Sequence, residues 1–117
     1  MLVLDAAGDV LIAQLNGEID LKVADELRRG LERALDSYSI RHLVFDFEKV
    51  SFIDSTGLGV ILGRYKRVAA AGGRLGLLGL CPKVRRVLEF SGVLRIAEEF
   101  ASRNEALQAL MGGEASA

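Results

Sequence analysis

The chain has 117 residues and a formal net charge of −1, and half of its residues are hydrophobic. That length is typical of one domain with a substantial core, and the near-neutral charge gives no general attraction to nucleic acid. No apolar run reaches the roughly 18 residues of a membrane span, and the first residues lack the basic start of a secretory signal. With a single cysteine, Cys81, the chain has no internal disulfide, so we expect a cytoplasmic protein that binds neither membrane nor nucleic acid.

The first third of the chain predicts a β-hairpin, a helix and a strand. Two short apolar runs within residues 2–17 are separated by an Ala-Gly-Asp turn signal at residues 7–9. Residues 22–37 carry apolar side chains at helical spacing, with charged residues on the other face. The run "HLVFDF", residues 42–47, alternates as a strand does.

The remaining chain alternates between helical and strand patterns, each bounded by glycine, proline or a capping box. We expect, in order, a helix at 55–71, a strand at 74–80, a helix from Pro82 to Gly92, a strand at 94–100 and a helix that opens at Ser102. The resulting order, ββαβαβαβα with about five strands and about four helices, predicts an α/β fold with a mainly parallel or mixed sheet. We expect one domain over residues 1–111 and a disordered tail at 112–117.

The sequence lacks the residue combinations that most catalytic sites need. His42 is the only histidine, it lies within a predicted strand, and nothing in the sequence directs it toward a serine. A single cysteine and a single histidine do not match any zinc-binding spacing, and the glycines match neither GxxxxGK[ST] nor GxGxxG. We therefore expect no enzymatic activity, no metal and no cofactor, and we interpret Cys81 as a small core residue.

The run "FIDSTGLGVILGR", residues 52–64, places two adjacent hydroxyl groups between a strand and a helix. Asp54 or Ser55 could cap that helix by accepting hydrogen bonds from its first turn. Capping does not explain the glycines at 57, 59 and 63, since each costs roughly 1 kcal/mol relative to alanine. Two explanations remain open: the glycines admit a neighbouring element of the same fold, or they leave a bare face for another protein.

The helical period separates two faces of this helix. The face that we expect to pack on the core carries Leu58, Ile61, Leu62, Tyr65, Val68 and Ala69. Spacing of three and four residues places a second set together on a face that we expect to point outward: Val60, Gly63, Arg64 and Arg67. A partly apolar outward face beside exposed hydroxyls suits docking of another protein.

A phosphate on Ser55 would have a clear physical effect. The fold should tolerate it, because a helix N-terminus favours anions. A partner docked at the same point would be repelled, because the new charge adds to that of Asp54 and to that of Asp20 if the fold brings Asp20 near. Modification would therefore act on binding without unfolding the domain.

Three runs carry a family resemblance: "LNGEID" at 15–20, "IRHLVFDFEKVSFIDSTGLGVILGRYKRV" at 40–68 and "CPKVRRVLEFSGVLRI" at 81–96. In this order and spacing the chain resembles STAS domains, and most closely the bacterial anti-sigma factor antagonists of the sporulation type. Three features depart from the family pattern: Asn16 stands where the family often has threonine, the run Leu21-Lys22-Val23 follows Asp20 where the sporulation type is more polar, and Thr56 replaces a second serine.

The resemblance implies a partner-switching cycle. The unphosphorylated antagonist would bind an anti-sigma factor that is itself a serine kinase, and so free the sigma factor for transcription. That kinase, holding ATP and Mg²⁺, would phosphorylate Ser55, and a PP2C-type phosphatase would reset the protein. The resemblance implies that the partner contacts Glu18, Asp20, Asp54, Thr56, Gly57, Leu58 and Gly59. We expect the outward helix face to add Val60, Gly63, Arg64 and Arg67 to these partner-binding residues.

Two other functions stay open. The domain could be a STAS subunit of a stress-signalling or lipid-transport assembly that has no kinase cycle. It could also be a hydrolase with Ser55 as nucleophile, although the sequence offers no evident base.

Overall fold

A tight hairpin begins the fold. The computed structural model describes residues 2–112, so the expected tail lies outside the described residues except for Gly112. Strand β1, Leu2–Ala7, pairs antiparallel with β2, Val10–Ile19, through a two-residue turn. Gly8 in that turn has φ +61°, a left-handed conformation that glycine adopts without a Cβ clash. The predicted hairpin is confirmed.

Strands and helices alternate after the hairpin. The elements, in order, are α1 Leu21–Ser37, β3 His42–Ile53, α2 Ser55–Ala70, β4 Leu75–Leu78, α3 Pro82–Ser91, α4 Val93–Ile96, β5 Glu98–Phe100 and α5 Arg103–Leu107, followed by a π-helical segment, Gln108–Gly112. The five strands lie in chain order in one sheet, and β2 through β5 are parallel. The predicted mixed sheet is confirmed.

Different helices cover the two faces of the sheet, and apolar side chains fill the space between them. On one face, fully buried side chains such as Phe45 and Phe47 of β3 pack with residues from α1, α2 and α3. On the other face, Val44 packs with Ala106 of α5 and Leu110 of the π-helical segment. Alternate residues of a strand point to opposite faces, which explains why neighbours in β3 belong to different clusters.

One boundary near the C-terminus was predicted wrongly. The run at 94–100 was expected to be a strand, but Val93–Ile96 form one helical turn and only Glu98–Phe100 pair with β4. Gly92, at φ +86°, ends α3, and the chain then makes a second helical turn that buries Val93 completely. The buried valine anchors this extra turn to the core, so the strand begins later than its composition indicated.

The paired ends of β2 and β3 project beyond β4. The last pair between β3 and β4 is Asp46 with Leu78, whereas the pairing of β3 with β2 continues to Ile53. Two register shifts interrupt this extension, at each of which β3 has one more residue than β2. Bulges of this kind increase strand twist and are common beside functional sites. The two projecting strand ends carry the starts of α1 and α2.

Candidate functional site

The starts of α1 and α2 lie side by side at the carboxyl ends of β2 and β3. Ile19 pairs with Ile53 in the last register position, and the Asp54 N–H donates to the Ile19 carbonyl at 3.2 Å. Each strand is followed by an aspartate that caps a helix, Asp20 for α1 and Asp54 for α2. The strand register therefore brings Glu18 and Asp20 beside the Asp-Ser-Thr run.

Asp54, not Ser55, caps helix α2. One carboxylate oxygen of Asp54 accepts from the Thr56 N–H at 2.9 Å, from the Gly57 N–H at 3.1 Å and from the Thr56 hydroxyl at 2.6 Å. The Thr56 hydroxyl is the main cause that lowers the pKa of Asp54, followed by the Gly57 N–H, with weaker contributions from the N–H groups of Thr56 and Leu21. Asp54 is thus an ionised cap held between two helix starts.

Ser55 is the first residue of α2 and is exposed to solvent. Within residues 2–112 its hydroxyl forms no hydrogen bond, because Asp54 has taken the capping role. The hydroxyl is therefore sterically and chemically available at the helix start.

The three glycines of α2 have different structural reasons. A Cβ at Gly57 would stand 2.6 Å from the Ile19 carbonyl oxygen and 2.9 Å from side-chain carbons of Ile19 and Ile53, so close packing requires this glycine. A Cβ at Gly59 or Gly63 would meet nothing within 4 Å. The packing explanation holds for Gly57, whereas the other two glycines leave the helix backbone bare.

The face that was expected to point outward is largely occupied by α1. Val60 is 6% exposed and belongs to the core, so its outward placement was wrong. Arg64 pairs with Glu32 of α1 at 2.8 Å, and its side chain is only 12% exposed. Arg67 bonds to Glu32 at 2.9 Å and to Asp36 at 2.7 Å. The apolar stripe of α2 does not reveal this second contact, because it depends on where α1 packs on the sheet.

Two shallow apolar grooves border the first turns of α2, one on the side of Thr56 and one on the side of Leu58, and the helical period directs Ser55 between these two sides. The α1–α2 groove, about 460 Å³, is lined by Leu21, Ala24, Asp25, Arg28, Thr56, Gly59 and Val60. The α2–α3 groove, about 370 Å³, is lined by Leu58, Arg86, Val87, Phe90 and Ser91. We call Ser55, these two grooves and the adjacent Glu18 and Asp20 the docking surface.

The sequence did not lead us to assign two exposed hydrophobic side chains, Leu21 and Phe90, to the docking surface. Leu21 is 73% exposed and Phe90 is 97% exposed. A signal was present for Phe90, because it falls well away from the helical stripe formed by Val84 and Leu88, which are fully buried. Phe90 lies with Leu58 and Val87 around one groove, and such a contiguous exposed apolar patch is typical of a contact surface.

His42 cannot serve Ser55 as a base. It begins β3, whereas Ser55 follows the end of that 12-residue strand, about 35 Å away at the usual rise. The His42 ring is buried, and its Nδ1 accepts from the Arg74 N–H at 3.0 Å, which is a structural role. This geometry removes the support for a serine hydrolase that uses His42.

Cys81 packs against the core, and the described residues contain neither a metal-binding cluster nor a membrane-spanning helix. Cys81 is half-buried against the core, where its thiol lies 3.8 Å from the Val50 carbonyl oxygen. Over residues 2–112 no group of three potential metal ligands occurs. The helices within the same range are too short or too polar to cross a membrane.

The chain matches a known family over most of its length. Residues 1–106 match the family model described as STAS domain. The chain therefore belongs to the STAS domain family, and the fold expected from the resemblance is confirmed.

Individual members of the family that are similar to this chain are named anti-sigma factor antagonists. The chain is 37% identical over 101 residues, covering 86% of both chains, to the anti-sigma F factor antagonist of Paenibacillus polymyxa. It is similar to the structure of the anti-sigma factor antagonist SpoIIAA in its unphosphorylated form, with a TM-score of 0.85, 30% identity and coverage of 96% and 97% of the two chains. The Bacillus cell fate determinant SpoIIAA in its phosphorylated form superposes with a TM-score of 0.75, 29% identity and coverage of 93% and 98%.

Proposed function

We propose that this protein is an anti-sigma factor antagonist that is switched by phosphorylation of Ser55. The unphosphorylated form binds an anti-sigma factor with serine kinase activity and thereby releases the sigma factor. The observation that carries this proposal is the exposed, unbonded Ser55 hydroxyl at the centre of the docking surface. The relatives named anti-sigma factor antagonists support the same function.

The docking surface has the properties of a protein contact. Its two grooves bring together Leu21, Leu58 and Phe90, so that apolar side chains lie on both sides of Ser55. Glu18 and Asp20 add negative charge at one border, and Gly59 gives direct access to the helix backbone. A mixture of apolar and polar contacts is typical of interfaces that form and dissociate.

The position of Ser55 explains how phosphate would act on binding. A phosphate adds close to two negative charges beside Asp54, and the first-turn N–H groups of Thr56 and Gly57 are already bonded to that carboxylate. The phosphate therefore remains on the surface, where a docking partner would have to desolvate it. Since Ser55 makes no contact that supports the fold, we expect loss of binding without unfolding.

The partner supplies the remaining parts of the cycle. ATP and Mg²⁺ belong to the kinase, a PP2C-type phosphatase removes the phosphate, and all of these proteins act with the sigma factor in the cytoplasm. In this proposal the antagonist is a substrate and a binding protein and catalyses no reaction itself.

The test compares Ser55→Ala and Ser55→Asp in pull-down with the purified anti-sigma kinase. We expect Ser55→Ala to be retained in the presence of ATP and Ser55→Asp to be lost, because only the latter carries charge at the interface. Ser39→Asp is the matched control, since Ser39 is exposed in the loop before β3, at the opposite edge of the sheet. Equal retention of both Ser55 variants would favour a STAS subunit of a stress-signalling or lipid-transport assembly without a kinase cycle.

A further inference from the structure

We propose that Asp54 is a specificity-determining residue that directs the kinase to Ser55 and protects the neighbouring Thr56 from phosphorylation. This inference rests on the proposed kinase cycle and concerns which of two adjacent hydroxyl groups that cycle modifies. It assigns to Asp54 a role beyond capping and partner contact.

The two hydroxyl groups are in contrasting environments. The Thr56 hydroxyl donates to the Asp54 carboxylate at 2.6 Å, and its side chain is half-buried in the wall of the α1–α2 groove. The Ser55 hydroxyl is exposed and forms no hydrogen bond within residues 2–112. Adjacent residues in the first turn of a helix project about 100° apart, so a partner can approach one without the other.

Phosphoryl transfer favours the hydroxyl that is not bonded to a carboxylate. In the reaction an Oγ–Pγ bond forms, the bond from Pγ to the oxygen shared with the β-phosphate breaks, ADP leaves and the hydroxyl proton passes to a base of the kinase. The transferred group carries negative charge on its three outer oxygens. At Thr56 that charge would come within a few ångströms of the Asp54 carboxylate, whereas at Ser55 it can point toward solvent.

Asp54 is poorly suited to the opposite role of activating Thr56 as a general base. Its pKa is lowered, chiefly by the Thr56 hydroxyl itself, so its affinity for a proton is weak. The same carboxylate oxygen also accepts two backbone N–H groups, from Thr56 and Gly57. The arrangement therefore holds the Thr56 proton in place and does not remove it.

The experiment maps phosphate by mass spectrometry after incubation with the anti-sigma kinase and MgATP. The wild-type protein should carry phosphate on Ser55, and Ser55→Ala should carry almost none. Ser55→Ala combined with Asp54→Asn keeps a good cap without the charge, so phosphothreonine at Thr56 should rise about tenfold or more over Ser55→Ala alone. Ser55→Ala with Thr56→Val is the control that must stay unlabelled.

The outcomes separate this inference from the function on which it rests. Wild-type protein without phosphate on Ser55 would overturn the kinase cycle itself. Labelled wild-type protein with no rise at Thr56 in the Ser55→Ala, Asp54→Asn protein would overturn only the role of Asp54, provided that the kinase still captures that variant. If capture is lost, the NMR signal of the Thr56 hydroxyl proton decides: slow exchange in wild type supports the bond to Asp54, and rapid exchange contradicts the inference.

Discussion

At the scale of single residues, the three glycines of α2 differ in their surroundings: one is tightly packed and two face open space. Gly57 contacts the end of β2 so closely that a methyl group would meet a backbone carbonyl, whereas Gly59 and Gly63 face open space. The sequence shows three similar helix-breaking residues in a row of seven. Only the docking of α2 against Ile19 distinguishes them, and that docking cannot be read from local spacing.

Alanine substitution should therefore have opposite effects on stability at two of these positions. Gly57→Ala should lower the free energy of unfolding by about 1–3 kcal/mol, because the Cβ forces the strand end and helix start apart. Gly63→Ala should raise the free energy by up to about 1 kcal/mol, since alanine is the better helix former and has room. Urea unfolding measures both, and equal destabilisation by the two substitutions would show that Gly63 is also packed.

Phe90 offers a residue-scale test of the docking surface. Its side chain is 97% exposed, so Phe90→Ala should leave the melting temperature unchanged but weaken kinase binding by about 2 kcal/mol, a typical aromatic hot-spot loss. Tyr38→Ala is the matched control, because Tyr38 is a 52% exposed aromatic residue outside the docking surface. Calorimetric titration measures the affinity for the kinase, and an affinity unchanged by both substitutions would contradict the assignment of Phe90 to the docking surface.

At the scale of the elements, the contact between α1 and α2 depends on a shared carboxylate. Glu32 in α1 pairs with both Arg64 and Arg67 of α2, and Asp36 adds a second contact to Arg67. Arg64 is mostly buried, so its charge depends on Glu32 for compensation. These ion pairs join α1 to α2, so Arg64 and Arg67 support the contact between the two helices and do not line the groove between them.

Removing the charge of Glu32 should loosen this contact. We expect Glu32→Gln to lower the free energy of unfolding by about 1–2 kcal/mol, because the mostly buried Arg64 guanidinium loses its counter-charge. Asp25→Asn is the control: Asp25 pairs with Arg28 and Arg29 at the exposed surface, where such pairs contribute less than about 1 kcal/mol. Equal small effects in chemical denaturation would mean that Arg64 finds other compensation.

Element boundaries show where prediction from sequence succeeds and where it stops. The hairpin turn, α1, the end of α2 and the cap of α5 at Ser102 were predictable because glycine, helical periodicity and a capping box act locally. The helical turn Val93–Ile96 was not, since the apolar residues around it suit a strand as well as a helix. The choice there is made by burial of Val93 among residues distant in sequence.

At the scale of the whole molecule, the candidate site could be located but not fully shaped from sequence. The position of Ser55 between a strand and a helix was readable locally, whereas the closeness of Glu18 and Asp20 was implied only by the family resemblance and arises because parallel strands bring their carboxyl ends to one edge of the sheet. The α2–α3 groove and Leu21 were not foreseen, because they arise from three helices packed side by side on the sheet.

Ion pairs of β5 make the stability of the whole domain depend on pH. Glu98 bonds to Arg74 at 2.6 Å and Glu99 pairs with Arg85, and these hydrogen bonds are the main cause that lowers both carboxyl pKa values below the ordinary 4.5. A carboxyl group with a lowered pKa in the folded state stabilises the fold above its unfolded pKa. That contribution is lost as the pH falls from about 4.5 through the lower folded values.

We therefore expect the free energy of unfolding to fall as the pH drops below about 4.5. Guanidinium chloride unfolding across this range measures the change, and Glu98→Gln combined with Glu99→Gln should make the curve shallower. A double variant with the same pH dependence as wild type would assign the effect to other carboxylates, such as Asp54.

The use of Asp54 as the cap has a genetic consequence. Because the neighbouring serine has no part in holding the helix, its loss should yield a protein that is folded and long-lived. Such a copy would occupy the anti-sigma kinase even in a cell that also makes the normal protein. We therefore expect Ser55→Ala to be dominant over wild type, whereas Gly57→Ala, which damages the fold, should be recessive.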